Sequence, residues 1–215
     1  IQPPVDHTTS ATSRSSSVGS HIRRAFIMIT FILATVACAA IADAQIITWF
    51  GGSCPDVTTK DNFQLQPYMG RWYEISKYPN SFQNGECGSA QYTLQDDNIV
   101  RVNNTQIKEG GIVDTVIGQV RDDPSSDVPA HLQVRFSSWQ PWGKYWVLDT
   151  DYESYTVVYS CSYYIINKVE FLWILGRDRT VEEETRKNIL QMLENFKIDA
   201  TKMVDTVQDV NKCNV

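Results

Sequence analysis

Histidine occurs only at positions 7, 21 and 131. A zinc site built on imidazoles needs two or three of them converging, and a Ser–His or Cys–His nucleophile needs a base within reach. His7 and His21 precede an apolar run that reads as a removable leader, so His131 stands alone in the remainder. No His pair or triple is available to hold zinc there, and every His-based catalytic scheme lacks its partners. The five cysteines, at 38, 54, 87, 161 and 213, contain no C-x-x-C, so neither a zinc knuckle nor a dithiol redox motif is written. Cys38 falls in the apolar run. Cys54, Cys87, Cys161 and Cys213 remain, an even set that in an exported chain reads as two disulfides with three connectivities open. Once all four are paired, no thiol is left to act as a nucleophile. No catalytic residue and no metal ligand set is assigned, and the reading is that of a protein that is not an enzyme.

Composition narrows the class further. A net charge of -6 argues against a nucleic-acid partner, which calls for a basic face. A hydrophobic share of 42% is enough to fill a core, and the charged share of 20% is that of a globular chain.

The N-terminus reads as separate from the fold. Residues 1–27 are an upstream or unstructured segment rich in Ser and Thr, and the first methionine is Met28. Residues 28–44 read as a secretory signal peptide. Its apolar run extends from Ala25 to Ala42 and ends at Ala42-Asp43-Ala44, a small-x-small pattern of the kind signal peptidase cleaves. His21-Ile22-Arg23-Arg24 would supply the basic n-region, which a start at Met28 would lack. A membrane anchor is the competing reading, at the lower limit of length and rich in Ala and Thr instead of Leu and Ile. Residues 45–215 are then the domain, acidic and secreted to the extracellular space. Asn103-Asn104-Thr105 is a permitted glycosylation sequon within it, with Asn103 the acceptor.

From about residue 68 to 177 the chain alternates apolar and polar residues in short runs. Leu132, Val134 and Phe136 alternate with Gln133, Arg135 and Ser137. Tyr155, Val157, Tyr159 and Cys161 alternate with Thr156, Val158, Ser160 and Ser162. Eight segments result, roughly 70–78, 89–95, 99–107, 112–121, 131–138, 144–150, 154–163 and 169–177. Short connections make neighbours in sequence antiparallel neighbours in space. The fold class is therefore all-β: an eight-stranded antiparallel up-and-down barrel. The period then lengthens. Thr180-Val181-Glu182-Glu183 fits a capping box, and Ile189, Leu193 and Phe196 recur at helical spacing, giving one C-terminal α-helix packed outside the barrel. Lys202–Val207 reads as a last short strand. A barrel of eight strands is wide enough either to be filled by its own side chains or to hold one small ligand.

Three motifs carry a resemblance. Gly70-Arg71-Trp72-Tyr73 opens the first strand, Thr150-Asp151-Tyr152 stands at the turn between the sixth and seventh, and Arg177 ends the eighth. Together and in this order they resemble the signature motifs of the lipocalins, over about Cys54 to Cys213. Tyr145–Cys161 and Phe171–Arg177 are similar to the branch that holds apolipoprotein D and the insect bilin-binding proteins. The resemblance implies that Arg177 stacks on Trp72 to plug one end, a packing role, and that the disulfides are Cys54–Cys161 and Cys87–Cys213. Asp151 is then a turn carboxylate that accepts backbone amides.

The resemblance also implies a ligand pocket near the open end, lined by Tyr92, Phe136 and Trp173, with Leu132 and Val134 on the same wall as Phe136. The alternative for each is that it fills the core without touching a ligand. Tyr145, Val147, Tyr155 and Val157 are weaker candidates, because alternation does not tell which face is inside. If Phe136 faces in, His131 faces out. Trp139 and Trp142, in Ser138-Trp139-Gln140-Pro141-Trp142-Gly143 at the mouth, either close over a ligand and touch a lipid surface, or pack onto neighbouring loops. The implied function is a secreted carrier that reversibly binds a small hydrophobic ligand: a bilin such as biliverdin, a retinoid, a fatty acid, a sterol or a pheromone. A protein-interaction module acting through its loops on a receptor is the second reading, and a lipocalin-type enzyme, whose base would have to be His131 or a buried carboxylate, is the third. No cofactor is required, and the oligomeric state stays open.

Overall fold

The computed structural model describes residues 46–49, 52–165 and 167–213. The upstream segment 1–27 and the signal reading at 28–44 lie outside the described residues. The elements are β1 (Ile46–Trp49), α1 (Leu65–Tyr68), β2 (Gly70–Lys77), β3 (Glu86–Leu94), β4 (Val100–Lys108), β5 (Ile112–Asp122), β6 (His131–Arg135), β7 (Gly143–Thr150), β8 (Tyr155–Tyr164), β9 (Asn167–Gly176), α2 (Glu183–Asn195) and β10 (Val204–Asp205). Strands β2 to β9 pair antiparallel in sequence order, and β9 returns to β2 to close the barrel. The eight barrel strands match the eight segments expected from the sequence, with ends displaced by a few residues. β1 adds to the outside of β9 and β10 to β2.

The apolar residues divide into two cores. The inner one gathers Trp72, Tyr92, Val102, Val120, Leu132, Val147, Val158 and Leu175. The outer one joins Leu148, Val157, Tyr159, Leu172 and Ile174 to Ile189, Leu193 and Ile198 of the helix and the chain after it. Full burial of a side chain such as Leu193 is worth roughly 1.5–3 kcal/mol, so a helix with one apolar stripe has only this outer wall to stabilise it.

Because β8 is covered on both sides, its alternation does not report the inside. Val158 joins the inner core and Ser160 lines the cavity, whereas Tyr155, Val157, Tyr159 and Cys161 face the outer core. Tyr155 and Val157 are thereby removed from the ligand-facing candidates. On β7 plain alternation holds as far as Leu148, with Tyr145 and Val147 in the inner core and Leu148 in the outer, and the register with β8 shifts between Val147 and Asp149.

The expected capping box does not form. The helix begins at Glu183 with Glu182 at its N-cap and no side-chain cap bond. Arg179, one residue before Thr180, is held elsewhere: its guanidinium lies over Tyr73 and donates to the Gln208 side chain and the Cys213 carbonyl. The N-cap thus stands two residues beyond Thr180, about half a turn later than the capping box would place it. Glu183 and Glu184 still favour the helix N-terminus through its dipole.

One seam of the barrel is completed from outside it. Residue-by-residue pairing of β2 with β3 stops at Tyr73 and Ser89. Beyond that point the segment after α2 enters the gap. Val204 and Asp205 pair with Lys77 and Ser76, the Cys87 amide donates to the Val207 carbonyl, and the Gln208 amide spans the carbonyls of Glu74 and Gly88. The Cys87–Cys213 disulfide fixes this segment, and Cys54–Cys161 fixes the chain ahead of β2 to β8. Both pairings agree with those the resemblance implied.

Candidate ligand-binding cavity

One end of the barrel is shut by the three motifs. Gly70 holds φ near +97°, and a Cβ there would come within 3.3 Å of the Arg177 guanidinium, so the position favours glycine on both counts. Trp72 has 0% exposure and donates its indole N–H to the Tyr68 carbonyl at 2.9 Å. The Arg177 guanidinium lies 3.7 Å from the centre of the Trp72 ring and donates to the carbonyls of Tyr152, Arg71 and Pro67 at 2.8–2.9 Å. The Thr150-Asp151-Tyr152 turn supplies one of those carbonyls. One Asp151 oxygen accepts the amides of Glu153, Ser154 and Tyr155 at 2.8–3.0 Å, and the Ser154 hydroxyl binds the other. Partial burial pushes the Asp151 carboxyl up, but these hydrogen bonds outweigh it and hold the group below the ordinary carboxylate range.

Towards the other end lies a cavity of about 280 Å³. Its walls include Ala90, Tyr92, Val102, Val134, Phe136, Tyr145, Val158, Phe171, Trp173 and Leu175. A second space of about 340 Å³ adjoins it at the mouth, shares Phe82, Gln83, Asn104, Phe136 and Gln140 with it, and reaches Trp139. Phe136 thus divides the two. Its place depends on Gly118 of β5, where a Cβ would stand 2.6 Å from the Phe136 ring. Trp173 stacks on Phe171 with ring centres 5.7 Å apart and donates its N–H to Gln83 at 2.9 Å.

The floor is polar. Tyr92 from β3 and Tyr145 from β7 meet with their hydroxyls 2.9 Å apart, and Tyr68 from α1 meets Tyr145 at 2.8 Å. Burial, the largest cause, raises the Tyr68 phenol to about 12 and drives those of Tyr92 and Tyr145 further up, so all three stay protonated donors.

The structure therefore brings Tyr92, Phe136, Trp173 and Val134 to one cavity, with Leu132 buried in the core beneath it. His131 faces outward as expected: its ring stacks on Trp146 at 4.1 Å and Nδ1 meets the Ser126 hydroxyl. The two loop tryptophans separate. Trp139 is 83% exposed and borders the mouth. Trp142 is not among the cavity residues, because the guanidiniums of Arg121 and Arg135 take its ring at 4.1 and 4.4 Å on the outer face of β5 and β6. Asn103 sits half-buried on β4 between Gln91 and Ile117, its side-chain oxygen without a partner among the described residues, while Asn104 borders the cavity. Ala90, Val102, Phe171 and Leu175 line the cavity without having been candidates, and three further site residues escaped the sequence reading or ranked low in it. Tyr68 belongs to a single helical turn too short to show a period. Gly118 has meaning only in register with Phe136. Tyr145 alternated correctly but gave no sign of its side.

A family model described as a lipocalin-like domain matches residues 63–208. The chain is 37% identical over 178 residues to apolipoprotein D of Cavia porcellus, covering 82% of this chain and 94% of that protein. It is 30% identical over 185 residues to insecticyanin-B of Manduca sexta, covering 81% of this chain and 87% of that one. Among solved structures, insecticyanin from the tobacco hornworm Manduca sexta matches with a TM-score of 0.68 at 27% identity, over 79% of this chain and 92% of that chain.

Proposed function

The chain belongs to the lipocalin family, whose members bind small hydrophobic ligands inside the barrel, and on that premise we propose that it is a secreted carrier for one flat, largely apolar molecule. The observation that carries the reading is the cavity itself: apolar walls, an aromatic pair at Trp173 and Phe171, and a mouth left open while the opposite end is shut. The mechanism is sequestration from water. Burying about 300 Å² of ligand apolar surface yields roughly 7 kcal/mol gross, of which the costs of association and ordering consume part.

A bilin, retinoid, fatty acid, sterol or pheromone suits such walls. A compact ligand fits within the inner 280 Å³. A linear tetrapyrrole such as biliverdin would extend past Phe136 into the outer space beside Trp139. Two disulfides suit work outside the cell. Trp139, Ile112, Tyr164 and Ile165, all exposed and all at the mouth end, support loading by transient contact with a lipid surface.

The test is the absorption spectrum of protein purified from its source, with mass spectrometry of an organic extract, beside titration of the Phe136→Ala/Trp173→Ala double variant with the ligand so found. A stoichiometric extract and a tenfold or greater loss of affinity in the double variant support the carrier. Undiminished affinity would remove this cavity as the site.

A further inference from the structure

Beneath its apolar walls the cavity ends in three phenols whose protons can be counted. Each phenol has one O–H to donate and two lone pairs to accept with. The Tyr92–Tyr145 and Tyr145–Tyr68 bonds use two of the three protons. The Thr156 hydroxyl stands 3.4 Å from both the Tyr68 oxygen and the Asp149 carbonyl oxygen and has one proton to give to either. One proton of the three is then unspent, and it falls to Tyr92 when Tyr68 donates to Tyr145 and Tyr145 to Tyr92; of the two end phenols Tyr92 lines the cavity and Tyr68 does not, so an acceptor brought in by a ligand selects that order. Hydroxyl dipoles aligned in series polarise one another, so this last donor is stronger than an isolated phenol. A buried donor that meets no acceptor is unfavourable; the walls of Val102, Val134, Phe136, Val158 and Leu175 supply none from their side chains, and the polar lining side chains of Gln83, Asn104, Gln140 and Ser160 make no hydrogen bond to the Tyr92 hydroxyl, whose one side-chain partner among the described residues is Tyr145.

The cations nearby are spoken for. Arg177 lies over Trp72 and donates to three backbone carbonyls. Arg135 and Lys144 border the cavity, but their charged ends lie over the rings of Trp142 and Trp146. A carboxylate taken to the floor would be buried without a counter-ion, whereas a neutral carbonyl oxygen would meet a strong donor and lose only its water.

Resting on the carrier reading, we propose that the cavity selects ligands whose inner end is a neutral carbonyl, as in a ketone, aldehyde or ester, inserted polar end first and hydrogen-bonded by the Tyr92 hydroxyl. The hydrocarbon part then lies along Trp173 and Phe171 towards the mouth. A fatty acid entering the same way would have to leave its carboxylate at the rim.

The experiment uses two fluorescent probes of nearly equal shape: a propionyl-dimethylaminonaphthalene, whose emission moves to longer wavelength when its ketone accepts a hydrogen bond, and the propyl analogue without the carbonyl. Both are titrated into the wild-type protein and Tyr92→Phe, and the ketone stretch of the bound probe is read by infrared difference spectroscopy. The expected result is a roughly tenfold loss of ketone affinity in Tyr92→Phe with the propyl analogue unchanged. In the wild type the bound ketone should also show the lowered stretch of a hydrogen-bonded carbonyl, a readout that does not depend on any variant folding. Equal effects of Tyr92→Phe on both probes, or a wild-type stretch characteristic of a free carbonyl, would overturn the proposal while leaving the carrier standing. If neither probe binds the wild type, both readings fall.

Discussion

The two ends of the barrel are built from the same eight strands and treat their side chains in opposite ways. At the shut end Trp72 is wholly buried, Arg177 is matched to three carbonyls and Asp151 to three amides. At the mouth Trp139 is 83% and Ile165 91% exposed, and apolar surface meets water without a covering element among the described residues. Satisfied polar groups and close packing make the shut end a source of stability. The mouth forgoes that stability, which leaves its groups free for exchange with a ligand or a surface.

The strongest way to break this contrast is Trp72→Ala. Loss of a fully buried indole costs about 4 kcal/mol, read as a lowered denaturant midpoint at unchanged slope. Phe136→Ala, on the wall of an existing cavity, should cost clearly less. Equal losses would mean that the two ends do not differ in kind.

A smaller effect with a pH signature separates the ends further. The folded Asp151 carboxyl titrates below its unfolded value of about 3.9, so its contribution is fully present above about pH 4 and is lost as pH falls through the folded value. The group is exposed in part, which limits the contribution to about 1 kcal/mol. Asp151→Ala should therefore destabilise the protein by about that amount at pH 7 and by progressively less below pH 4, seen by comparing denaturation midpoints of the two proteins across pH. A difference that stays constant through pH 3 would show that the carboxylate is not what holds the turn.

The smallest effect on stability belongs to Trp139→Ala. Its midpoint should stay within about 0.5 kcal/mol of the wild type, while transfer of an apolar probe from phospholipid vesicles slows. A clear loss of stability would place Trp139 with the shut end after all.

Legibility in the sequence divides along the same line. Gly70, Trp72, Thr150 to Tyr152 and Arg177 were legible through their resemblance to family motifs, and the structure shows why those types recur there: a left-handed backbone, a turn carboxylate and a stacked cation each demand a particular residue. The strands were read from alternation, and the inner wall of β6 with them, since Phe136 and His131 differ by an odd number of positions. Alternation failed on β8, where the helix covers the outer face and the more polar set, Thr156, Val158 and Ser160, alternates with the outward one. Trp142 was misplaced for another reason. Its partners Arg121 and Arg135 lie on two different strands, and only the β5–β6 register brings them to either side of one ring.

The segment that fills the seam between β2 and β3 comes after every barrel strand in the chain. Synthesis runs from the N-terminus, so Cys87 leaves the ribosome 126 residues ahead of its partner Cys213. Throughout that interval the upper edges of β2 and β3 present unpaired amides and carbonyls, the kind of edge on which strange chains add. The nascent chain therefore keeps this edge open until the segment after α2 has been made, and its wall is sealed by one of the last described segments.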